Sequence, residues 1–348
     1  MKTDNSGHDS PPLRGALIGF GNVAENAHLP LFQENEHFII DAVVEPSKER
    51  ARRAERFLPE AMICPDIDHL LAEEKMDFVD ICTPPCFHEE LALKALRAGY
   101  HVFCEKPLAT SFDSVSRLTD EAVKHQRVLF TVNNWKYAPI WTKVIELVHQ
   151  DMIGQVQSIS LNVLRTPSSG GGLSDWRKIV EIAGGGIILD HGWHHLYLVL
   201  SIMNAVPESV SAKIKYLDEN RSDLDDEVDV LMQFKSAKAH LHLTWRSAER
   251  RNFGIIEGDK GNLKINDDHL VLHARGQSPI RYDFPEALSR GSHHTEWMKA
   301  VVDNFRREVA DANVRGSNLK EAKQCSRIIS LCYKSHQAGS SFLPINEL

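Results

Sequence analysis

Long apolar runs are missing from this chain of 348 residues. Its most apolar stretch, 187–203, is broken by Asp190, His191, His194 and His195, which excludes a membrane-spanning helix of about 18 or more apolar residues. No block of Lys and Arg offsets the formal net charge of −8, so neither nucleic acid nor an anionic membrane surface is an expected partner. The opening stretch, residues 1–12, is polar, contains Pro11-Pro12 and lacks the apolar core of a secretory leader. It reads as a disordered tail, and the protein as cytoplasmic. Cysteine is sparse, and the six residues show neither zinc-ligand spacing nor a disulfide framework. Cys82 and Cys104 fall inside apolar runs, where a reduced thiol serves as a small hydrophobe. Internal repeats and low-complexity segments are absent. What remains is an ordinary globular composition, 42% hydrophobic and 25% charged. The length is about twice that of a usual single domain, so two domains are expected.

From Leu13 to Asn134, short apolar runs alternate with amphipathic segments. The runs are 15–18, 39–44, 78–82, 102–103 and 128–132; the amphipathic segments are 48–57, 89–98 and 112–125. Near-continuous Val, Ile and Phe suits strands covered on both faces of a parallel sheet, and strand–helix alternation predicts a doubly wound α/β domain over residues 13–134. After Asn134 the pattern changes. Helices are expected over 139–152 and 187–202, and a strand over 155–165. A long loop, 166–183, carries Gly170-Gly171-Gly172 and Asp175-Trp176-Arg177. Six strands follow between 208 and 273, and closing helices span 295–309 and 320–337. This predicts a second, α+β domain over 135–348 with a largely antiparallel sheet.

Directly after the first run, Gly19-Phe20-Gly21-Asn22-Val23-Ala24 opens a helix with the spacing G-x-G-x-x-G/A. The first glycine makes the tight turn and the second lets backbone approach a pyrophosphate. The small Ala24 lets helix pack on strand, and the N–H groups of Asn22 and Val23 begin the helix terminus that faces the anion. Glu45, at the end of the second run, stands where a carboxylate accepts the ribose hydroxyls of NAD and repels the 2′-phosphate of NADP. Ser47, Lys48 and Arg50 are the nearby groups able to bind that phosphate, so NAD is favoured and NADP is the lesser alternative. Thr83-Pro84-Pro85 follows the third run at the carboxyl edge, where ligands bind in open α/β sheets.

Glu105-Lys106-Pro107 ends the next strand, which directs Lys106 into the crevice, where it can steady a developing alkoxide. Pro107 restricts that turn and is a candidate for a cis peptide bond. The second constellation is Gly184-Gly185-Gly186 followed by Asp190 and His194. On a regular helix, residues 190 and 194 share a face and can pair a carboxylate with a proton-shuttling imidazole. His191, His194 and His195 lie partly on different faces, so a metal centre is not expected.

These motifs, in this order, resemble the Gfo/Idh/MocA oxidoreductases, the relatives of glucose–fructose oxidoreductase and inositol dehydrogenase. The resemblance rests on Gly19-x-Gly21-x-x-Ala24, Cys82-Thr83-Pro84 with His88, Glu105-Lys106-Pro107, and Gly184-Gly185-Gly186 with Asp190-x-Gly192-x-His194. It implies a Rossmann domain followed by a substrate domain whose open sheet often mediates homo-oligomerisation. It places Thr83, Pro84, His88, Glu105 and Lys106 along the cofactor, and Lys106, Asp190 and His194 at the chemistry. Asn134, Arg165, Trp176 and Arg177 are placed toward the substrate. Tyr197 is a departure, standing where many relatives carry an aspartate. The implied activity is hydride transfer between NAD(H) and a sugar, polyol or sugar acid, with His194 accepting the hydroxyl proton, Lys106 steadying the oxygen and Asp190 orienting ring or substrate. Two other readings stay open: a redox-assisted glycosidase that retains its NAD, and a nucleotide-responsive regulatory module.

Overall fold

The computed structural model describes residues 11–73, 75–167, 176–218, 221–291 and 294–347. The tail up to residue 10, Gly170-Gly171-Gly172 and Asp175 lie outside the described residues.

Six strands build the first sheet: β1 (Leu13–Ile18), β2 (Phe38–Val44), β3 (Met62–Cys64), β4 (Phe78–Ile81), β5 (His101–Cys104) and β6 (Leu129–Thr131). All pairs are parallel, in the order β3-β2-β1-β4-β5-β6. The order reverses between β1 and β4, opening a crevice at their carboxyl ends. The apolar character of β1, β4 and β5 has the expected cause: Ala16, Leu17, Phe78, Val79, Val102 and Phe103 are each wholly buried, with helices on both faces. Helices Lys48–Phe57 and Phe112–Lys124 start where Ser47 and Ser111 accept N–H groups from the first turn. The strand β3 was not foreseen, because three residues are too few to show a period.

The second sheet has nine strands: β7 (Val156–Leu164), β8 (Ser209–Asp218), β9 (Arg221–Gln233), β10 (Lys238–Thr244), β11 (Arg251–Gly258), β12 (Gly261–Asn266), β13 (His269–Ala274), β14 (Ile280–Asp283) and β15 (Leu343–Pro344). Their order is β14-β13-β12-β11-β7-β10-β9-β8-β15, antiparallel except where β7 meets β10. Along β7, Ile159, Leu161 and Val163 point into the core while Ser158, Ser160 and Asn162 face outward. Helices Pro139–His149, Trp193–Met203 and Ser317–Gln337 cover the inner face.

Two late helices tie the halves together. Thr295–Ala310 returns to the first sheet, where Met298, Val301, Val302 and Phe305 form one stripe. Phe305 meets Phe103 at 5.2 Å and Phe78 at 5.6 Å between ring centroids. At the start of Ser317–Gln337, Asn318 accepts from the N–H of Thr131 (2.7 Å) and donates to its carbonyl (2.9 Å). The amide thus satisfies the open edge of β6, as another strand would.

The segment expected as one regular helix over 187–202 is instead a π turn, Ile188–Gly192, running into the helix Trp193–Met203. The wider turn rotates residue 190 relative to 194, so the four-residue spacing no longer stacks their side chains.

Candidate active site

The glycine turn leaves β1 at its carboxyl end. Gly19 has φ of +87°, a conformation that favours glycine, and a Cβ there would lie 2.9 Å from the Thr83 side chain. At Gly21, by contrast, a Cβ would meet nothing within 4 Å, so the backbone borders open space. The Thr83 hydroxyl is buried with no hydrogen-bond partner among the described residues. Open space at the head of a helix and an unsatisfied hydroxyl across the crevice fit a dinucleotide lying between Gly21 and Thr83-Pro84.

Glu45 lies at the end of β2 and is almost wholly buried. It accepts from the N–H of Phe20 and of Ser47, each at 2.8 Å, and from the Arg50 guanidinium at 2.9 Å. Burial raises its pKa, but these donors outweigh burial and hold it below the usual carboxylate value. Glu45 therefore braces the glycine turn as an anion, a task its position alone did not reveal.

Lys106 leaves β5 through a cis peptide bond to Pro107. Two buried histidines set this strap. His88 lies between the carbonyls of Thr83 (2.8 Å) and Pro107 (2.9 Å), beneath both loops of the crevice. His28, at the end of the short π turn Ala24–His28, puts Nδ1 2.7 Å from Asp80 and Nε2 2.9 Å from Glu105. The other oxygen of Glu105 accepts the N–H of Lys106 at 3.0 Å. Burial opposes charge on the His28 ring, yet Asp80 and the Cys82 thiol carry its pKa well above the ordinary value. An imidazolium bridges the buried Asp80 and the partly buried Glu105, linking the helix behind the glycine turn to the backbone of Lys106. Neither His28 nor Asp80 was singled out from sequence; the only signal was a histidine just past the glycine motif.

Across the crevice, Gly186 lies against β9, where a Cβ would come within 1.9 Å of the Asp225 carbonyl. The buried Asp225 carboxylate accepts from the N–H of Gly186 and of Ile188, both at 2.8 Å, fixing the start of the π turn. That turn delivers Asp190 to Lys106: Nζ donates to Asp190 Oδ1 at 2.7 Å and to the Asp190 carbonyl at 2.9 Å. Burial raises the Asp190 carboxyl, but Lys106, then His191 and Arg177, hold it well below the usual range.

His194 pairs not with Asp190 but with Tyr197, whose hydroxyl lies 2.8 Å from Nδ1. The ring stacks on Trp135 at 5.2 Å, and the N–H of Trp135 donates to the same hydroxyl at 2.9 Å. Burial, followed by Lys106, His191 and His195, pushes the His194 pKa well below its ordinary value, so the ring is neutral.

The remaining expected substrate residues divide. Asn134 is partly exposed at the start of the turn Asn134–Tyr137. Arg177 stacks over Trp176 at 4.4 Å, and its charge reaches Asp190. Arg165 is wholly buried, bonded to the Leu164 carbonyl (2.8 Å) and Asn252 (3.1 Å), and burial, then Arg250, lower its pKa to about 10. It stands behind Trp135, 6.0 Å from the ring.

Comparison with known proteins agrees with this architecture. Residues 13–133 match the model of an oxidoreductase family with an NAD-binding Rossmann fold, and residues 141–264 match the GFO/IDH/MocA C-terminal domain. The chain is 30% identical over 313 residues to the D-glucoside 3-dehydrogenase of Escherichia coli strain K12, covering 87% of this chain and 85% of that one. Among solved structures, the aldose–aldose oxidoreductase of Caulobacter crescentus, complexed with glycerol, superposes with a TM-score of 0.80 at 21% identity, covering 96% of this chain and 99% of that one. An inositol dehydrogenase homologue from Azotobacter vinelandii, complexed with NAD+, also reaches 0.80 at 18% identity, covering 96% and 98%.

Proposed function

The chain belongs to the GFO/IDH/MocA oxidoreductase family, and on that premise we propose that it transfers a hydride between NAD(H) and a hydroxyl-bearing or carbonyl carbon of a sugar, polyol or sugar acid. The reading rests above all on one contact: Lys106, from the end of β5, meets Asp190 from the second half of the chain at 2.7 Å, at the carboxyl edge where a Rossmann sheet binds its ligand.

Bound along the glycine turn, NAD supplies the carbon that takes or returns the hydride. Gly19, Gly21, Asn22 and Val23 form the pyrophosphate cradle, with Thr83 and Pro84 opposite. Glu45, kept ionised by its donors, favours NAD over NADP, because a 2′-phosphate would meet a buried carboxylate. Lys106 spends two N–H bonds on Asp190 and has one position left for a substrate oxygen. His194 offers that oxygen a second polar contact. Asp190, ionised beside Lys106, has its other carboxylate oxygen 3.8 Å from His191 and able to accept a neighbouring hydroxyl. Two donors on one oxygen and an acceptor for the hydroxyl beside it suit a vicinal diol, the recurring unit of carbohydrates. Asn134, Trp176 and Arg177 complete the substrate side.

The outer face of the second sheet, with Leu231 44% exposed and Phe253 and Ile255 half-buried, supports a homo-oligomer through that face. Six free thiols, and no described helix long and apolar enough to cross a membrane, support a cytoplasmic setting.

The test is absorbance at the NADH band while protein and NAD meet a panel of polyols, sugars and sugar acids. A rise with one compound class that disappears in Lys106→Ala, with NAD binding retained, is the expected result. Full turnover in Lys106→Ala would remove Lys106 from the chemistry, and silence across the panel despite NAD binding would count against the dehydrogenase reading.

A further inference from the structure

The hydrogens around Tyr197 can be assigned from chemistry alone. The N–H of Trp135 can only donate, so the phenol oxygen accepts it. The phenol has one proton of its own, and the acceptor facing it is His194 Nδ1 at 2.8 Å. Nδ1 therefore carries a lone pair. The ring is neutral, so its single proton sits on Nε2. The opposite tautomer, with Nδ1–H donating to the phenol, would strand the phenol proton where Tyr197 has no exposed surface and no other acceptor among the described residues. Stacking on Trp135 at an interplanar angle of 25° fixes the plane of the ring, and the contact with Tyr197 fixes which nitrogen faces the phenol.

We propose that Tyr197 is a positioning residue that holds His194 as the Nε2–H tautomer, so that His194 meets the substrate oxygen as a hydrogen-bond donor and not as its proton acceptor. The functional half of this statement rests on the hydride-transfer reading above; the tautomer does not. A neutral ring with Nε2 already protonated and Nδ1 engaged has no lone pair to offer the substrate. It polarises the oxygen, as a fixed dipole aimed at developing charge. Proton exchange then falls to Lys106 Nζ, the other group on that oxygen. In reduction, an N–H bond of the Lys106 ammonium breaks as the new O–H bond forms, leaving an amine that keeps its two bonds to Asp190. The carbonyl π pair becomes the oxygen lone pair that takes this proton, and the carbon accepts the hydride with its electron pair. Oxidation reverses each movement and starts from the Lys106 amine. This reassigns the proton-accepting role that the sequence motif suggested for His194.

The direct test is nitrogen-15 NMR of the histidine-labelled protein, with the His194 ring identified by its loss in His194→Gln. The expected signature is a neutral ring whose protonated nitrogen couples to both carbon-bound ring protons, the pattern of Nε2–H. In Tyr197→Phe the two nitrogens should move toward averaged shifts. A wild-type Nδ1–H pattern, or a ring indifferent to Tyr197→Phe, overturns the proposal. Should Tyr197→Phe fail to fold, the wild-type spectrum decides by itself. A kinetic comparison checks the donor role. The side-chain amide of His194→Gln can donate but cannot act as a base, so kcat should exceed that of His194→Leu by about tenfold or more, with NAD affinity alike. Equal loss in both variants contradicts a donor role. Absence of turnover with every carbohydrate would sink the hydride-transfer reading while leaving the spectrum free to confirm or refute the tautomer.

Discussion

His28 and His194 are both buried and both connect to Lys106, His28 through Glu105 and His194 through the field of the lysine itself. Their protons are nevertheless driven in opposite directions. His28 lies between two carboxylates and its pKa rises well above the ordinary value. His194 has a phenol for a partner, burial on all sides and the Lys106 cation nearby, and its pKa falls well below. Burial is common to both and disfavours charge in both, so the partner decides the outcome. The charged histidine holds the strap in place, and the neutral one faces the chemistry. His191 and His195 follow His194: burial lowers both, with His195 brought to about 4.

The largest effect expected from disturbing this contrast is at Lys106, which both sides serve. Lys106→Ala should cost about three orders of magnitude in kcat, the scale of losing a donor aimed at transition-state charge, with the Tm close to wild type. Next is His28→Leu, which strands Asp80 as a buried carboxylate and takes a partner from the partly buried Glu105. Denaturant titration should show a loss of roughly 3–5 kcal/mol, and a variant within 1 kcal/mol of wild type would mean that the bridge carries no charge.

The pH dependence of stability should separate the two environments. Below pH 6.5 the unfolded chain takes up protons that His191, His194 and His195 refuse when folded, so stability falls with acidification down to the folded pKa values. For His195, with a folded value of about 4, this amounts to roughly 3 kcal/mol, and His195→Leu should flatten the acid limb. His28 works the other way. Its stabilisation is complete below about pH 6.5 and fades as pH rises through its elevated folded pKa, so a His28 variant should lose alkaline rather than acid dependence. The smallest effect is expected at Arg50, a half-exposed partner of Glu45. Arg50→Ala should change stability by about 1 kcal/mol or less, because the two backbone donors remain.

The first half of the site was legible because its signals are local. A glycine turn between strand and helix, an acid at the next strand end and a lysine at the end of β5 fall in order along the chain, and strand order places them on one edge. The second half was legible as a motif but not as geometry. The spacing of Asp190 and His194 assumes a regular helix, and the π turn breaks that assumption, sending Asp190 to Lys106 and His194 to Tyr197. The anchor of that turn, Asp225, comes from a strand more than thirty residues downstream, and the Tyr333 hydroxyl that bonds it comes from the closing helix Ser317–Gln337. Likewise, the stripe on Thr295–Ala310 announces a buried face without naming the phenylalanines of the first sheet that receive it. Long-range pairings of this kind have no local spacing to read.

Hydride transfer in the cleft can be followed with an isotope. Reduced cofactor deuterated at the transferring position would be mixed with the protein and the keto form of whichever carbohydrate gives turnover, and the product weighed by mass spectrometry. One deuterium on the new carbinol carbon per molecule reduced, formed about a thousandfold more slowly with Lys106→Ala, is the predicted result. Reduced product without the label, or label that exchanges into water, would contradict direct hydride transfer in the cleft between Lys106 and His194.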